Sequence, residues 1–130
     1  METRNASASY LEVQGLVKWF GTDRAVDDIS FAIPKGNFLT LLGPSGCGKT
    51  TTLMSIAGLH RIDAGRIRVG EVTYTSPKDS IFMPPEKRDI GMVFQSYAIW
   101  PHMTVKQNVA YPLEIRKVGR TETDDRVADV

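Results

Sequence analysis

The alternation of apolar and polar positions predicts β-strands at the start of the chain. Residues 28–33 alternate cleanly, which predicts a half-buried strand. Residues 11–20 alternate until Gly15 shifts the apolar face, which predicts a strand with a bulge. Turn-forming residues at 34–37 follow, so we expect these strands and the next one to be antiparallel neighbours.

A different pattern follows, because residues 38–42 are almost wholly apolar. A short apolar run bounded by turn residues predicts a central strand covered on both faces. A glycine-rich loop comes next, and then Leu53, Ile56 and Ala57 recur at helical spacing. Gly58 stands where a left-handed residue would end that helix. The sequence therefore predicts a strand, a loop and a helix in succession.

The middle of the chain predicts further short strands at residues 66–69, 71–74 and 90–94. The polar stretch 75–89 between the last two is predicted to be a solvated loop. Its charge run at residues 86–88 is interpreted as solvated, with room for a partner contact.

The last third predicts helices. Thr104 and Gln107 fit a capping box, and Pro112 is expected to kink or split the helix that follows. Thr121, with Asp124 three residues later, predicts the start of another helix that reaches the last residue, Val130. We therefore expect the 130 residues to be the front of a longer protein.

Bulk composition excludes several classes of function. A length of 130 residues fits one domain, and a net charge of +1 gives no general attraction to nucleic acid or anionic lipid. The single cysteine, Cys47, excludes an internal disulfide and favours a reducing compartment. No stretch is apolar enough for a signal peptide or a membrane span, so we expect at most peripheral membrane contact.

Residues 43–50 match the phosphate-binding pattern G-x-x-x-x-G-K-[ST] at every constrained position. The glycines let successive N–H groups and the start of the helix converge on phosphate oxygens. Lys49 would place a positive charge near the β- and γ-phosphates, and Thr50 would offer a hydroxyl to Mg²⁺. Cys47 occupies an unconstrained position and is given no thiol chemistry. The predicted nucleotide contacts in this loop are Gly43, Ser45, Gly46, Cys47, Gly48, Lys49, Thr50 and Thr51.

Two longer stretches resemble the ATPases of ABC transporter import systems. Residues 39–59, LTLLGPSGCGKTTTLMSIAGL, resemble the Walker A region of that family, and Asp63 to Ile67 resembles the segment just after it. Residues 90–109, IGMVFQSYAIWPHMTVKQNV, resemble its Q-loop, with Gln95 as the matching glutamine. The resemblance implies that Gln95 approaches Mg²⁺ and the attacking water while its loop touches the membrane subunit, so that Lys49 and Gln95 are the catalytic residues. Thr50 and Gln95 are then the implied metal contacts.

The same resemblance implies an α/β fold. The expected architecture is a P-loop NTPase core, with a mixed sheet around the Walker A strand, loop and helix, an N-terminal antiparallel β-subdomain and the start of a helical subdomain. The expected organisation is a polar tail over residues 1–10, a nucleotide-binding core over residues 11–95, and the Q-loop continuation with the beginning of the helical subdomain over residues 96–130.

Residues 11–21 resemble the family's A-loop, whose aromatic side chain stacks on adenine. The match at residues 18–21, KWFG, places Phe20 at that position, with Trp19 as the adjacent candidate. Either ring could instead belong to the core.

The implied function is the ATP-binding, energy-coupling subunit of an import system that uses ATP and Mg²⁺. Its implied partners are a second ATPase subunit and membrane permease subunits, without nucleic acid, on the cytoplasmic face of the membrane. Residues 96–103 resemble importers of ferric iron, polyamines or related small solutes. His102 is interpreted as a surface or packing residue.

Two alternatives remain open. The family's signature motif, Walker B strand, D-loop and switch histidine do not occur in these residues, so we expect them to bind ATP without hydrolysing it. The chain could accordingly be a passive nucleotide-binding or interaction module. An unrelated P-loop kinase or GTPase would need an acceptor or guanine motif, and the sequence contains neither an Asn-Lys-x-Asp signal nor a second basic phosphate clamp.

Overall fold

The computed structural model describes residues 9–130. The predicted polar tail of residues 1–10 lies almost entirely outside this range. The chain divides into two compact units, with the boundary between Met92 and Val93. We describe each unit by itself.

The first unit contains a five-stranded sheet in the order β2-β1-β3-β4-β5, and all its neighbouring strands are antiparallel. The strands are β1 (Ser9–Phe20), β2 (Asp23–Pro34), β3 (Ala64–Val69), β4 (Val72–Ser76) and β5 (Ile81–Phe82). The predicted antiparallel pairing is therefore confirmed for the first two strands, β1 and β2, but not for the strand expected after residues 34–37. The predicted bulge is also confirmed, because the register of β1 against both neighbours shifts at Gly15.

One face of this sheet carries the core of the first unit, because alternate side chains of each strand point to the same face. Leu16 and Ile67 are completely buried there. The other buried members of the cluster are Val13, Val26, Ile62 and Tyr74.

The helix after the glycine-rich loop is α1 (Lys49–Ala57). It ends as predicted at Gly58, which is left-handed with φ 86° and donates its N–H to carbonyls of the last turn. Its predicted apolar face is confirmed for Ile56, which packs against the core, and for Ala57, which is buried, but Leu53 is half exposed while Thr52 and Ser55 are buried.

Two predicted strands are absent from the described residues. Residues 38–42 and 90–94 form no strand, and Phe38, Leu42 and Val93 are each more than 90% exposed. A strand covered on both faces needs a paired neighbour, and none of β1 to β5 pairs with either segment. Both segments are rich in apolar residues, which is why strands were predicted there. Neither segment has a paired strand beside it that would bury these residues.

The predicted solvated loop over residues 75–89 is wrong in part. It contains β5 and two 3-10 turns, Pro77–Asp79 and Pro85–Lys87. The prediction that the charge run at residues 86–88 is solvated is wrong for Arg88. Its side chain is fully buried against backbone carbonyls.

The second unit contains α2 (Val105–Ile115) and α3 (Arg120–Ala128). The predicted capping box is confirmed, since Thr104 Oγ1 accepts from the Gln107 N–H and Gln107 Oε1 accepts from the Thr104 N–H. Pro112 does not split α2, which continues to Ile115. The helix predicted from Thr121 to Val130 is α3, which begins one residue earlier and ends at Ala128.

Candidate functional site

The loop from Gly43 to Gly48 leads directly into α1, as the phosphate-binding pattern requires. Gly46 and Gly48 both have positive φ, at 80° and 91°. Gly48 is the N-cap residue of α1, and no side chain of the described residues caps this end of the helix. The first N–H groups of a helix have no partners within it, so those of α1 are free to meet an anion.

The loop lies close to β2 at Gly48. A Cβ atom at Gly48 would lie 2.4 Å from the carbonyl oxygen of Ala25 and 3.2 Å from Val26. Only glycine therefore fits between the loop and β2. Sequence reasoning identified Gly48 but missed Ala25, because nothing in the local pattern predicts a contact across 23 positions.

A cavity of about 780 Å³ opens beside this contact. Its walls come from the first half of β2, from residues 40–42 and from the loop itself, with Gly46, Cys47, Gly48 and Lys49 among its lining residues. Four of the predicted nucleotide contacts are thus brought together around one opening. Gly43, Ser45, Thr50 and Thr51 belong to the same loop and helix start but do not line this cavity.

The ammonium group of Lys49 folds back over the loop. Its Nζ donates to the carbonyl oxygens of Gly43 at 2.8 Å and Pro44 at 2.7 Å, and lies 3.4 Å from Cys47 Sγ. No carboxylate within residues 9–130 forms an ion pair with it. Its positive charge is therefore held at the loop by neutral oxygens, which leaves that charge available to an anion.

Two hydroxyl side chains of α1 donate to carbonyl oxygens of the helix itself. Thr52 Oγ1 donates to the Gly48 carbonyl at 2.9 Å, and Ser55 Oγ donates to the Thr51 carbonyl at 2.8 Å. Of the three threonines at the start of α1, only Thr52 is bonded to the helix backbone in this way, and such bonds do not by themselves favour a helix. Thr50 is exposed at the start of this turn.

The aromatic candidates lie at the end of β1. Phe20 is 45% exposed, contacts His60 edge to face at 5.2 Å between ring centroids, and has the Lys18 ammonium 5.1 Å from its centroid. Trp19 is 41% exposed and lies beneath the Arg24 guanidinium. Neither ring is part of the core, and neither lines the cavity beside the phosphate loop.

Gln95 belongs to the second unit, where it is exposed at the start of a turn. The turn continues through Tyr97 and Ala98, both with positive φ. The residues after it are fixed by Asn108, which exchanges hydrogen bonds with the backbone of Trp100 and also donates to the Met103 carbonyl. Sequence reasoning missed this role of Asn108.

The described residues suit a phosphate group better than a protein-held metal. No group of three or more His, Cys, Asp or Glu side chains lies close enough to hold a metal ion anywhere from residue 9 to residue 130. The loop instead offers uncapped N–H groups at the start of α1 and a lysine whose partners are neutral oxygens. A divalent cation that arrives with a nucleotide would find the Thr50 hydroxyl, which is the one oxygen ligand the pattern supplies at the helix start.

No helix among residues 9–130 has both the length and the apolar character that crossing a bilayer demands.

A family model described as ABC transporter matches residues 26–130. The trehalose/maltose import ATP-binding protein MalK of Thermococcus litoralis is 54% identical over 113 residues, which cover 87% of this chain and 30% of that protein. The spermidine/putrescine import ATP-binding protein PotA of Pseudomonas aeruginosa is 47% identical over 117 residues, which cover 90% of this chain and 31% of that protein. The chain therefore spans about a third of the length of these relatives.

A solved dimeric structure of a bacterial ABC transporter cassette has a similar fold. It superposes with a TM-score of 0.75 at 27% identity, over 89% of this chain and 53% of the cassette. The predicted α/β P-loop NTPase class with antiparallel N-terminal strands is confirmed by this likeness, although the described strands of this chain pair only antiparallel.

Proposed function

This chain belongs to the ABC transporter family, and on that basis we propose that it is the nucleotide-binding part of an import ATPase, with Mg-ATP held on residues 43–50. The observation that carries the proposal is the loop beside β2. There Gly48 lets the loop pack directly against β2, and Lys49 keeps its charge on the loop that precedes an uncapped helix start.

The residues of this loop have different roles in binding Mg-ATP. Backbone N–H groups of Gly46 to Thr51 donate to phosphate oxygens, since they are close to one another and lack side-chain competitors. Lys49 exchanges its carbonyl partners for the β- and γ-phosphates, which are stronger acceptors because they are charged. Thr50 provides its hydroxyl to Mg²⁺, and the bound cation neutralises part of the phosphate charge.

Phe20 and Gln95 extend the proposal beyond the phosphates. The half-exposed ring of Phe20 is available for stacking on adenine. Gln95, exposed on its turn, couples the nucleotide state to a permease subunit in this proposal.

The proposed assembly pairs this subunit with a second copy and with membrane permease subunits on the cytoplasmic face. Its support is the dimeric form of the similar cassette and the import function in the relatives' names. Two relatives named for different solutes, a disaccharide and a polyamine, match the same stretch. This favours a stretch common to importers of different solutes, ferric iron among them.

A binding titration tests the proposal. Calorimetry with Mg-ATP should give saturable binding to the chain, and Lys49→Ala should weaken it at least tenfold because the phosphates lose their cationic partner. Lys35→Ala is the matched control, since Lys35 is an exposed lysine outside the loop. Equal binding by all three proteins would contradict the assigned site.

Release of phosphate in the same samples separates the two remaining functions. Binding without turnover favours the passive nucleotide-binding module. Turnover that disappears in Lys49→Ala favours the ATPase, and requires residues within this chain to orient the attacking water.

A further inference from the structure

Arg88 has the largest fully buried side chain of the described residues. No carboxylate among residues 9–130 forms an ion pair with it. Burying an unpaired charge is costly unless hydrogen bonds replace the lost water. The partners of this guanidinium therefore indicate what its burial achieves.

Two of these partners are carbonyl oxygens at the C-terminal end of α1. Arg88 Nη1 donates to Ser55 O at 3.0 Å and to Ile56 O at 2.7 Å. The last carbonyls of a helix lack the usual N–H partner four residues on and carry partial negative charge, although Ser55 O also accepts the N–H of Gly58. The guanidinium thus closes the end of α1 with charge-assisted hydrogen bonds.

The remaining partners fix Arg88 to the sheet. Its Nε donates to Met83 O, and its Nη2 donates to Thr75 Oγ1, both at 2.8 Å. Tyr74 donates its hydroxyl to the Arg88 carbonyl at 3.3 Å and places its ring under the guanidinium. Arg88 consequently joins β4 and the segment after β5 to the end of α1.

The fit around the guanidinium is tight at Gly58. A Cβ there would lie 2.5 Å from Arg88 Nε and 2.7 Å from Cζ. Desolvation lowers the pKa of the Arg88 guanidinium, yet four hydrogen bonds compensate the buried charge. The planar guanidinium of arginine reaches all of these oxygens at once. The ammonium group of a lysine cannot reach the same set.

The other end of α1 is the start of the candidate phosphate site. Nine helical residues at about 1.5 Å each make α1 roughly 13 Å long. A helix this short moves as a rigid rod, so fixing the carbonyl end also fixes the direction of the N–H groups at Lys49 and Thr50.

We propose that Arg88 is a positioning residue for the nucleotide site, and that it holds α1 against β4 so that the N-terminal end of the helix faces the phosphates. This proposal rests on the function proposed above. Arg88 touches no phosphate and acts only through α1.

The experiment compares Arg88→Met and Arg88→Lys with the unchanged chain by amide hydrogen exchange and by Mg-ATP titration. We expect amides of residues 52–55 to exchange at least tenfold faster in Arg88→Met, while amides of β1 keep their rates. The dissociation constant of Mg-ATP should rise at least fivefold. For Arg88→Lys, the exchange rates and the dissociation constant should lie between those of the unchanged chain and those of Arg88→Met. If Arg88→Met does not fold, Arg88→Lys is used in its place.

Thr75→Val is the matched control. It removes the one side-chain acceptor of Arg88 and leaves both bonds to α1 in place. We expect its affinity for Mg-ATP to stay within twofold of the unchanged chain.

Each outcome separates this proposal from the function on which it rests. If exchange accelerates equally in β1 and α1 and ATP affinity is unchanged, Arg88 only stabilises the fold and the proposal is overturned. If ATP binds but residues 52–55 keep their exchange rates, the proposal is also overturned, whereas the binding function stands. If no protein binds ATP but exchange accelerates only in α1, the binding function fails and the anchoring of α1 by Arg88 is supported.

Discussion

Gly48 is the residue on which the geometry of the phosphate loop depends most directly. Its φ of 91° is unfavourable for any residue with a Cβ, and Ala25 O occupies the space that this atom would need. We expect Gly48→Ala to lower the free energy of unfolding by about 2 kcal/mol or more, since backbone strain and overpacking add. Urea unfolding followed by Trp19 fluorescence in a Trp100→Phe background measures the change.

Gly46→Ala separates strain from crowding. Gly46 has a similar φ of 80°, but an added Cβ would meet nothing within 4 Å. We expect Gly46→Ala to lower the free energy of unfolding by about 1 kcal/mol, from backbone strain alone. Equal costs at the two positions would show that the contact with Ala25 does not constrain the loop.

The residues of the candidate site differ in how far the sequence could predict them. Gly48 and Lys49 were predicted because the phosphate pattern is local and fixes spacing. Ala25 and Arg88 were not, since each acquires its role from a contact with a distant part of the chain. The roles of Phe20 and Gln95 stay predictions.

At the scale of elements, β1 and β3 are joined by a cross-strand pair of opposite charge. Glu12 lies opposite Arg68, whose Nε donates to the carboxylate at 3.1 Å. The Arg68 guanidinium, helped by the Gln14 amide, holds the pKa of Glu12 below its usual range. Because the folded pKa is lowered, the pair stabilises the sheet above the unfolded pKa of roughly 4.3 and loses this effect as the pH falls through the folded pKa.

We therefore expect Glu12→Gln to lower the urea midpoint of the first unit at neutral pH. The difference from the unchanged chain should stay constant above about pH 5.5 and shrink below roughly pH 4.3, where the unfolded carboxylate becomes protonated. Glu86→Gln, at an exposed glutamate, is the control and should show no such trend. A difference that grows as the pH falls would contradict the assignment to Glu12.

Elements with a clear period were predicted well, and elements that depend on neighbours were not. The alternating strands, the end of α1 at Gly58 and the capping box at Thr104 follow from rules that act within a few residues. Residues 38–42 show the limit of such rules. Their apolar run indicates burial, but burial requires paired strands on either side, and β1 to β5 supply none.

At the scale of the whole molecule, the stability of the first unit depends on the core beneath its sheet. Leu16 is completely buried in that core. We expect Leu16→Ala to cost about 2–5 kcal/mol, because it removes apolar contacts and leaves a cavity. Urea unfolding with Trp19 as the probe checks this value.

Leu42→Ala removes the same atoms from a side chain that is 95% exposed. Its expected effect on the free energy of unfolding is within about 0.5 kcal/mol. A cost at Leu42 as large as that at Leu16 would mean that residues 38–42 are covered in solution.

The exposure of residues 38–42 also affects how the chain behaves in concentrated solution. Five consecutive residues without charge or proline, three of them exposed large apolar side chains, offer unpaired backbone groups to any extended segment. Such a stretch favours cross-β association between copies. Pro34 and Lys35 precede this stretch and Pro44 follows it, and the proline rings and the lysine charge oppose the growth of aggregates.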